Sequence, residues 1–392
     1  MLASALIFGR IARIFKQPMV FGEFLGGIIL GPSVLGILSP NLFHTVFLAD
    51  TFAKTAREGI TQVGMLFFLF IAGLEVKLGY LRKHKLTMIL TSGFGILFPF
   101  ILGVASVLFL PQLFNFPSAD DVILYALLIG TFLSISALPI ITRILIDLGL
   151  IKENTGQIIM ASAVFNDVIG WILFTIILSK YVSSGLHPAG LKITSIFFIP
   201  VLFLIAFLIR KMRLSPVWKK WNQNEPGQIM MIITVSLLLT AAIVETLGIH
   251  SVFGAFLLGV ALAEETNKNR VHEIIYQFTV SFFAPLYFVS LGMQTNFFTN
   301  FDVLLILFLL GVATLGKVGG ASLGARCSGI PLRQSLIIGF GLNARGAIEM
   351  ILASIAFQYN LINEAVYVAL IFVAIITSMI SSPVMGFLVK YR

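Results

Sequence analysis

Asp167 is the only charged residue between Glu153 and Lys180, and it stands near the middle of the apolar segment 155–178, TGQIIMASAVFNDVIGWILFTIIL. A carboxylate at that depth in a bilayer costs about 2.5–3.5 kcal/mol on insertion scales, so by default it marks an ion or proton pathway. Burial disfavours its charged form and a bound cation favours it, so a proton and a cation compete for one group. Four more charges interrupt apolar segments. Lys317 lies in 302–325, and Arg143 lies in 121–146. Arg345 and Glu349 stand four apart in 331–358 and could pair directly on a continuous helix, with Arg143 a second possible partner for Glu349. A structural ion pair is the reading for Arg345 and Glu349; Lys317 could contact Asp167, bond to carbonyls of interrupted helices or be deprotonated, and structural support is preferred to proton carriage. Glu23, Glu75 and Glu245 fall near span ends, where snorkelling to water is the ordinary account.

Other chemistries find no complete residue set. An intramembrane aspartyl protease needs two aspartates in membrane segments, and Asp167 stands alone. The second histidine that a zinc protease needs after His272-Glu273 is absent. Gly311 to Lys317 fits GxxxxGK, but Val318 replaces the required Ser or Thr and the stretch is apolar. His250 and His272 flank spans and read as exposed loop residues. The single Cys327 forms no intrachain disulfide. No cofactor is expected.

The segments that must position these charges are membrane spans. The chain is 58% apolar and 11% charged, with a mean hydropathy of +1.02, which describes an all-α polytopic membrane protein. Stretches of about 20 apolar residues occur near 18–38, 58–76, 86–110, 121–146, 155–179, 190–209, 227–247, 249–264, 274–293, 302–325, 331–358 and 364–389. A further segment at the start brings the total to about 13. It has nine residues before Arg10, too few to span, so the chain either starts inside a helix or continues upstream. Of the 26 basic residues, 19 fall in one set of alternating loops and four (Lys54, Arg57, Lys180 and Lys192) in the other. That bias places the N-terminus outside and the C-terminus in the cytoplasm.

The chain repeats itself. VFGEFLGGIILG at 20–31 returns as VFGAFLLGVALA at 252–263, an offset of 232. FLFIAGLE at 68–75 returns as YFVSLGMQ at 287–294 (219), and LLIGTFLSISALPIITRIL at 127–145 as LIIGFGLNARGAIEMILAS at 336–354 (209). Matching helices are seven spans apart, an odd number, so the expectation is two inverted repeats with a binding site at the midplane. Gly, Pro, Ser, Thr and Asn interrupt the helices at 130–139 and 339–347, which predicts two broken helices aiming free backbone groups at a shared point. The 209 offset maps Asp167 onto Ile376, and the counterpart of the Lys317 helix, 86–110, carries no charge. The fold is thus buildable without either charge, and both become site candidates.

GEFLGGIILGPSVLG (22–36), FFLFIAGLEV (67–76), SISALPIITRILIDLGL (134–150), ASAVFNDVIGWIL (161–173), GIHSVFGAFLLGVAL (248–262), PLYFVSLGMQTN (285–296), GKVGGASLGARCSG (316–329) and GLNARGAIEMILA (341–353) cover almost the whole chain. In this order they resemble the monovalent cation:proton antiporter family-2. The resemblance implies one antiporter unit over 1–392: a dimerisation part (1–40 and 189–265) and a core (58–180 and 272–391) that moves like an elevator. It implies two interrupted helices crossing beside an essential aspartate at Asp167, with Asn166 before it. Asn-Asp pairs in related antiporters tend to go with electroneutral exchange, although the relatives' partner for a lysine at Lys317 is the aspartate this chain lacks.

The expected function is exchange of Na⁺ or K⁺ for protons, with Asp167 binding proton or cation in turn. Asn166, Thr131 and Ser134 would add oxygen ligands, together with carbonyls of the interrupted helix. Lys317, Arg345, Glu349 and Arg143 would be the supporting charges. A homodimer in a bacterial inner membrane is expected, with no nucleic acid partner. A potassium efflux transporter or channel-like system of the same fold is the alternative, followed by a non-transporting sensor. The efflux relatives usually carry a cytoplasmic nucleotide-binding domain, and here Tyr391 and Arg392 end the chain.

Overall fold

The computed structural model describes residues 1–15, 17–48, 51–74, 85–114, 122–150, 153–183, 226–246, 250–263 and 270–390. The expected span 190–209 and Glu75 lie outside them. Among the described residues every regular element is helical. The chain begins with α1 (Leu2–Ile14), α2 (Met19–Leu30) and α3 (Thr51–Leu74). Next come α4 (Lys85–Phe109), α5 (Val122–Ser134), α6 (Leu138–Asp147) and α7 (Asn154–Ser183). The second half has α8 (Pro226–Thr246), α9 (Ser251–Leu262), α10 (Arg270–Phe278) and, after a π-helical turn at Thr279–Phe283, α11 (Ala284–Gly292). It ends with α12 (Val303–Cys327), α13 (Leu332–Leu342), α14 (Ala347–Gln358) and α15 (Glu364–Lys390).

Eight of the described helices are long and apolar enough to cross a membrane, and α13 with α14, bent by 44°, makes a ninth span. The expected count of about 13 also took in the first segment, 190–209, 121–146 and 249–264. Here α1, α5 and α9 are short, at 13, 13 and 12 residues. At 1.5 Å per residue such helices reach about 20 Å, less than a hydrocarbon core.

Contacts group the chain into two units. The first is Met1–Val76 with Val182–Thr299, and the second is Lys77–Tyr181 with Asn300–Arg392. In the second unit α4 and α12 run against each other along a glycine stripe. A Cβ added at Gly316 would lie 2.7 Å from Pro99 Cα, at Gly320 2.4 Å from the Phe94 carbonyl and at Gly324 2.3 Å from the Leu90 carbonyl. Small residues every fourth position let two membrane helices touch backbone to backbone, and Lys317 is carried on the helix so fixed. Asp302 starts α12 by accepting the Leu305 N–H at 3.0 Å. Gly329, at φ +89°, turns the chain out of its C-terminal end.

The first unit uses glycine contacts that the sequence repeat relates. A Cβ at Gly27 of α2 would lie 2.1 Å from the Val289 carbonyl of α11, and one at Gly292 2.3 Å from that of Phe24. The repeat mates Gly259 of α9 and Gly73 of α3 do the same, at 2.2 Å from the Phe70 carbonyl and 2.2 Å from the Phe256 carbonyl.

Candidate functional site

Two helices of the second unit are broken. Between α5 and α6, residues 135–137 leave the helix, and between α13 and α14, residues 343–346 do. Pro139 favours the first: it has no N–H to donate to the Ile135 carbonyl, which removes one helical bond at that turn, and it sits in the opening turn of α6, where none is needed. The two breaks are bonded to each other. Ala137 N–H donates to the Ala344 carbonyl at 3.0 Å, and the Ser136 hydroxyl donates to the Leu342 carbonyl at 2.8 Å. Ser378, on α15, holds the second break by accepting the Arg345 backbone N–H at 3.1 Å and donating to the Arg345 carbonyl.

A broken helix exposes its last carbonyls, a partial negative charge that must be met inside the protein. Two buried basic side chains meet that of α5. Arg345 donates from Nη1 to the Phe132 carbonyl at 2.7 Å and from Nη2 to the Leu133 carbonyl, and Lys317 Nζ donates to the Ser134 carbonyl. Three carbonyls at the end of α5, those of Phe132, Leu133 and Ser134, thus each accept one such bond. Arg345 also pairs with Glu349 at 3.1 Å. Arg345 belongs to the break and Glu349 to the first turn of α14, where a carboxylate also suits the positive helix end.

Asp167 comes from α7 and is 1% exposed. Its carboxylate faces the Leu138 N–H at the start of α6, Lys317 is the charged group that acts on it, and its Oδ1 has no hydrogen-bond partner. Asn166, also buried, has one amide orientation that satisfies both ends. In it Nδ2 donates to the Ser162 carbonyl at 3.2 Å, and the amide oxygen accepts from Lys317 Nζ at 3.0 Å. The Ser136 hydroxyl is 3.2 Å from that oxygen and donates to the nearer Leu342 carbonyl. Lys317 is thus held by a carbonyl and an amide, and Asp167 keeps an unengaged oxygen.

Thr131 and Ser134 are buried, and their hydroxyls donate to the Leu127 and Thr131 carbonyls, both at 2.8 Å, leaving oxygen lone pairs open. Arg143 lies in α6, and its side chain falls outside the described residues. Glu245 is exposed, but Glu23 is 4% exposed. The expectation of snorkelling at Glu23 is not met for Oε2, which is shut off from water where glycines draw α1 and α11 down onto α2. Sequence reasoning missed Ser378 and the Leu138 N–H; a serine amid the apolar run of α15 was the available signal for the first. Among the described residues no group of three His, Cys, Asp or Glu could hold a metal ion. Asp167 is a buried carboxylate with one open oxygen, which a proton or a cation could complete.

The model of a transmembrane sodium/hydrogen exchanger family matches residues 2–391. The Na(+)/H(+) antiporter NhaS4 of Synechocystis sp. is 30% identical over 390 residues, 97% of this chain and 93% of that protein. Cation/H(+) antiporter 17 of Arabidopsis thaliana is 32% identical over 95% of this chain, which spans 45% of that protein's length. The solved structure of the sodium proton antiporter MjNhaP1 from Methanocaldococcus jannaschii has the same fold, with a TM-score of 0.68 at 15% identity over 99% of this chain and 96% of that one.

Proposed function

The chain belongs to the sodium/hydrogen exchanger family, and on that premise we propose that it exchanges a monovalent cation, Na⁺ or K⁺, for protons at Asp167. The observation that carries this reading is the state of that carboxylate: buried in a membrane helix, facing a half-helix N-terminus, with one oxygen unengaged. A proton or a cation can complete it, and the two exclude each other. Asn166, Thr131 and Ser134 supply neutral oxygens beside it. Lys317, Arg345 and Glu349 tie the two breaks together, and Arg143, whose side chain lies outside the described residues, is carried as a further supporting charge. Lys317 rests on the Ser134 carbonyl and the Asn166 amide, so a single carboxylate exchanges its load, and the stoichiometry is one cation for one proton.

Transport then requires only that the site cross when neutralised. Loaded Asp167 crosses an apolar barrier far more readily than bare Asp167. The moving part carries the crossing. The resemblance gives it as 58–180 and 272–391; the compact unit that holds the site is Lys77–Tyr181 with Asn300–Arg392, and 58–76 and 272–299 belong to the other unit. Two inverted repeats, an elevator motion, a homodimer and a C-terminus in the cytoplasm of a bacterial inner membrane complete the reading.

The test uses purified protein in proteoliposomes with an internal pH dye, challenged with Na⁺ and K⁺ in turn, with and without a valinomycin clamp. The wild type moves protons against one or both cations at a rate indifferent to the clamp, and Asp167→Asn abolishes the flux. Cation flux without proton movement would establish the efflux or channel reading instead.

A further inference from the structure

A further acid, besides Asp167 and Glu349, stands buried in a membrane helix, and the proposed exchange does not use it. Glu23 is 4% exposed within α2 and its Oε2 has no hydrogen-bond partner. The 232 offset places Ala255 at its position in the other repeat. The same helix is therefore built elsewhere in the chain without an acid, the argument that also isolates Asp167.

The seam around Glu23 is tight. A Cβ added at Gly22 would lie 2.1 Å from the Phe8 carbonyl of α1, one at Gly26 2.5 Å from Ser4 Oγ, and one at Gly27 2.1 Å from the Val289 carbonyl of α11. Glu23 is on the α1 side, since a Cβ at Gly9 would lie 3.6 Å from its Cγ. The charged groups of α1 are Arg10 and Arg13, both exposed, and Arg13 Nη2 is bonded to Met19 Sδ at 2.8 Å. The titratable group of α11 is the Tyr287 phenol, and the helical turn Leu35–Leu38 has none. Lys16 lies outside the described residues. Among the described residues no charge acts on Glu23.

An unpaired carboxylate in such a place is costly, so the group needs a ligand. A hard cation needs several oxygens, and beside helix backbone already bonded to itself, a thioether and glycines this seam offers one hydroxyl, that of Ser4, which donates to the Gly26 carbonyl at 3.0 Å. We propose that Glu23 is a second proton-binding site of this protein, separate from Asp167. Its release of the proton to water leaves a bare carboxylate between α1, α2 and α11, which those helices must part to hydrate. Glu23 therefore makes the packing of the first unit depend on pH. This inference stands apart from the exchange reading and survives its failure.

The hydrophobic reagent dicyclohexylcarbodiimide tests it. A protonated carboxyl in apolar surroundings gives its proton to a carbodiimide nitrogen, and the carboxylate oxygen adds to the central carbon. The full chain in proteoliposomes is treated at a series of pH values, with and without saturating Na⁺ or K⁺, and the peptides are read by mass spectrometry. Expected is an adduct on Glu23 that falls several-fold as pH rises and is indifferent to both cations, while the adduct on Asp167 is suppressed by the transported one. The Glu23→Gln variant keeps the Asp167 adduct and loses the infrared carbonyl band of one protonated acid. Absence of the Glu23 adduct where Asp167 reacts, a pH-independent adduct, or protection of Glu23 by either cation would overturn the proposal. Failure of both cations to protect Asp167, with Glu23 titrating, would count against the exchange reading alone.

Discussion

Replacing Arg345 by methionine should destabilise the protein more than replacing its partner Glu349, by an amount the contacts allow one to work out. Arg345 holds the Phe132 carbonyl, the Leu133 carbonyl and Glu349. Its removal strands a buried carboxylate, which costs about 3–5 kcal/mol, and leaves two carbonyls unpaired at about 1–3 kcal/mol each. These terms overlap, so a loss of about 5 kcal/mol or more is expected. Glu349→Met leaves a guanidinium that still has the negative end of α5 to rest on, and about 1.5–3 kcal/mol, the worth of one hydrogen bond to a charged group, is a fair cost. In Arg345→Met/Glu349→Met the carbonyls remain unpaired but no charge is stranded, so the second substitution should partly rescue the first. Thermal unfolding in detergent micelles, followed by tryptophan fluorescence, gives the order directly. If Glu349→Met unfolds at or below the temperature of Arg345→Met, or if the double variant is the least stable of the three, Arg345 is not the cap of α5 and this account of the crossing fails.

Asn166→Asp sets a second carboxylate 3.0 Å from Lys317 Nζ. Exchange by that variant should become sensitive to membrane potential, read as a rate difference of several-fold with and without the valinomycin clamp, and an unchanged rate would sink the one-carboxylate stoichiometry. Gly320→Val drives a side chain into the Phe94 carbonyl, 2.4 Å from where its Cβ must go. It should cost about 1–3 kcal/mol of stability from overpacking and slow exchange by displacing Lys317. A variant with wild-type unfolding temperature would show that α4 and α12 are not in backbone contact.

The breaks were legible because the residues that cause them are unusual in apolar helices. The structural gaps at 135–137 and 343–346 fall inside the predicted windows 130–139 and 339–347. Pairing of Arg345 with Glu349 was readable from their spacing, though not the reason it forms: Arg345 is in the break, so the two do not share one continuous helix. Which carbonyls Arg345 and Lys317 would take was out of reach, since α5 ends are brought to them by contacts more than 180 residues apart in sequence. Burial of Glu23 was hidden for a related reason. Its position near a span end suggests water, and only the pairing of Gly22 with Phe8 and of Gly27 with Val289 closes that route.

Symmetry and chemistry part company at identifiable residues. Contacts that build the helical frame come in pairs matched by the repeat: Gly27 with Gly292 and Gly259 with Gly73, and two breaks whose following helices start 209 residues apart, at Leu138 and Ala347. Buried groups that can hold a proton or a cation are not matched. Asp167 has Ile376 as its mate, Glu23 has Ala255, and no charge occurs in 86–110 to answer Lys317. A frame shared by both halves needs each contact twice, whereas a load-carrying group must be single if one cation is to replace one proton. A second carboxylate at the mate of Asp167 would double the charge to be neutralised before crossing, at about 2.5–3.5 kcal/mol on insertion scales. The unmatched Asp167 is thus what the proposed one-for-one exchange requires of a chain whose glycine contacts recur.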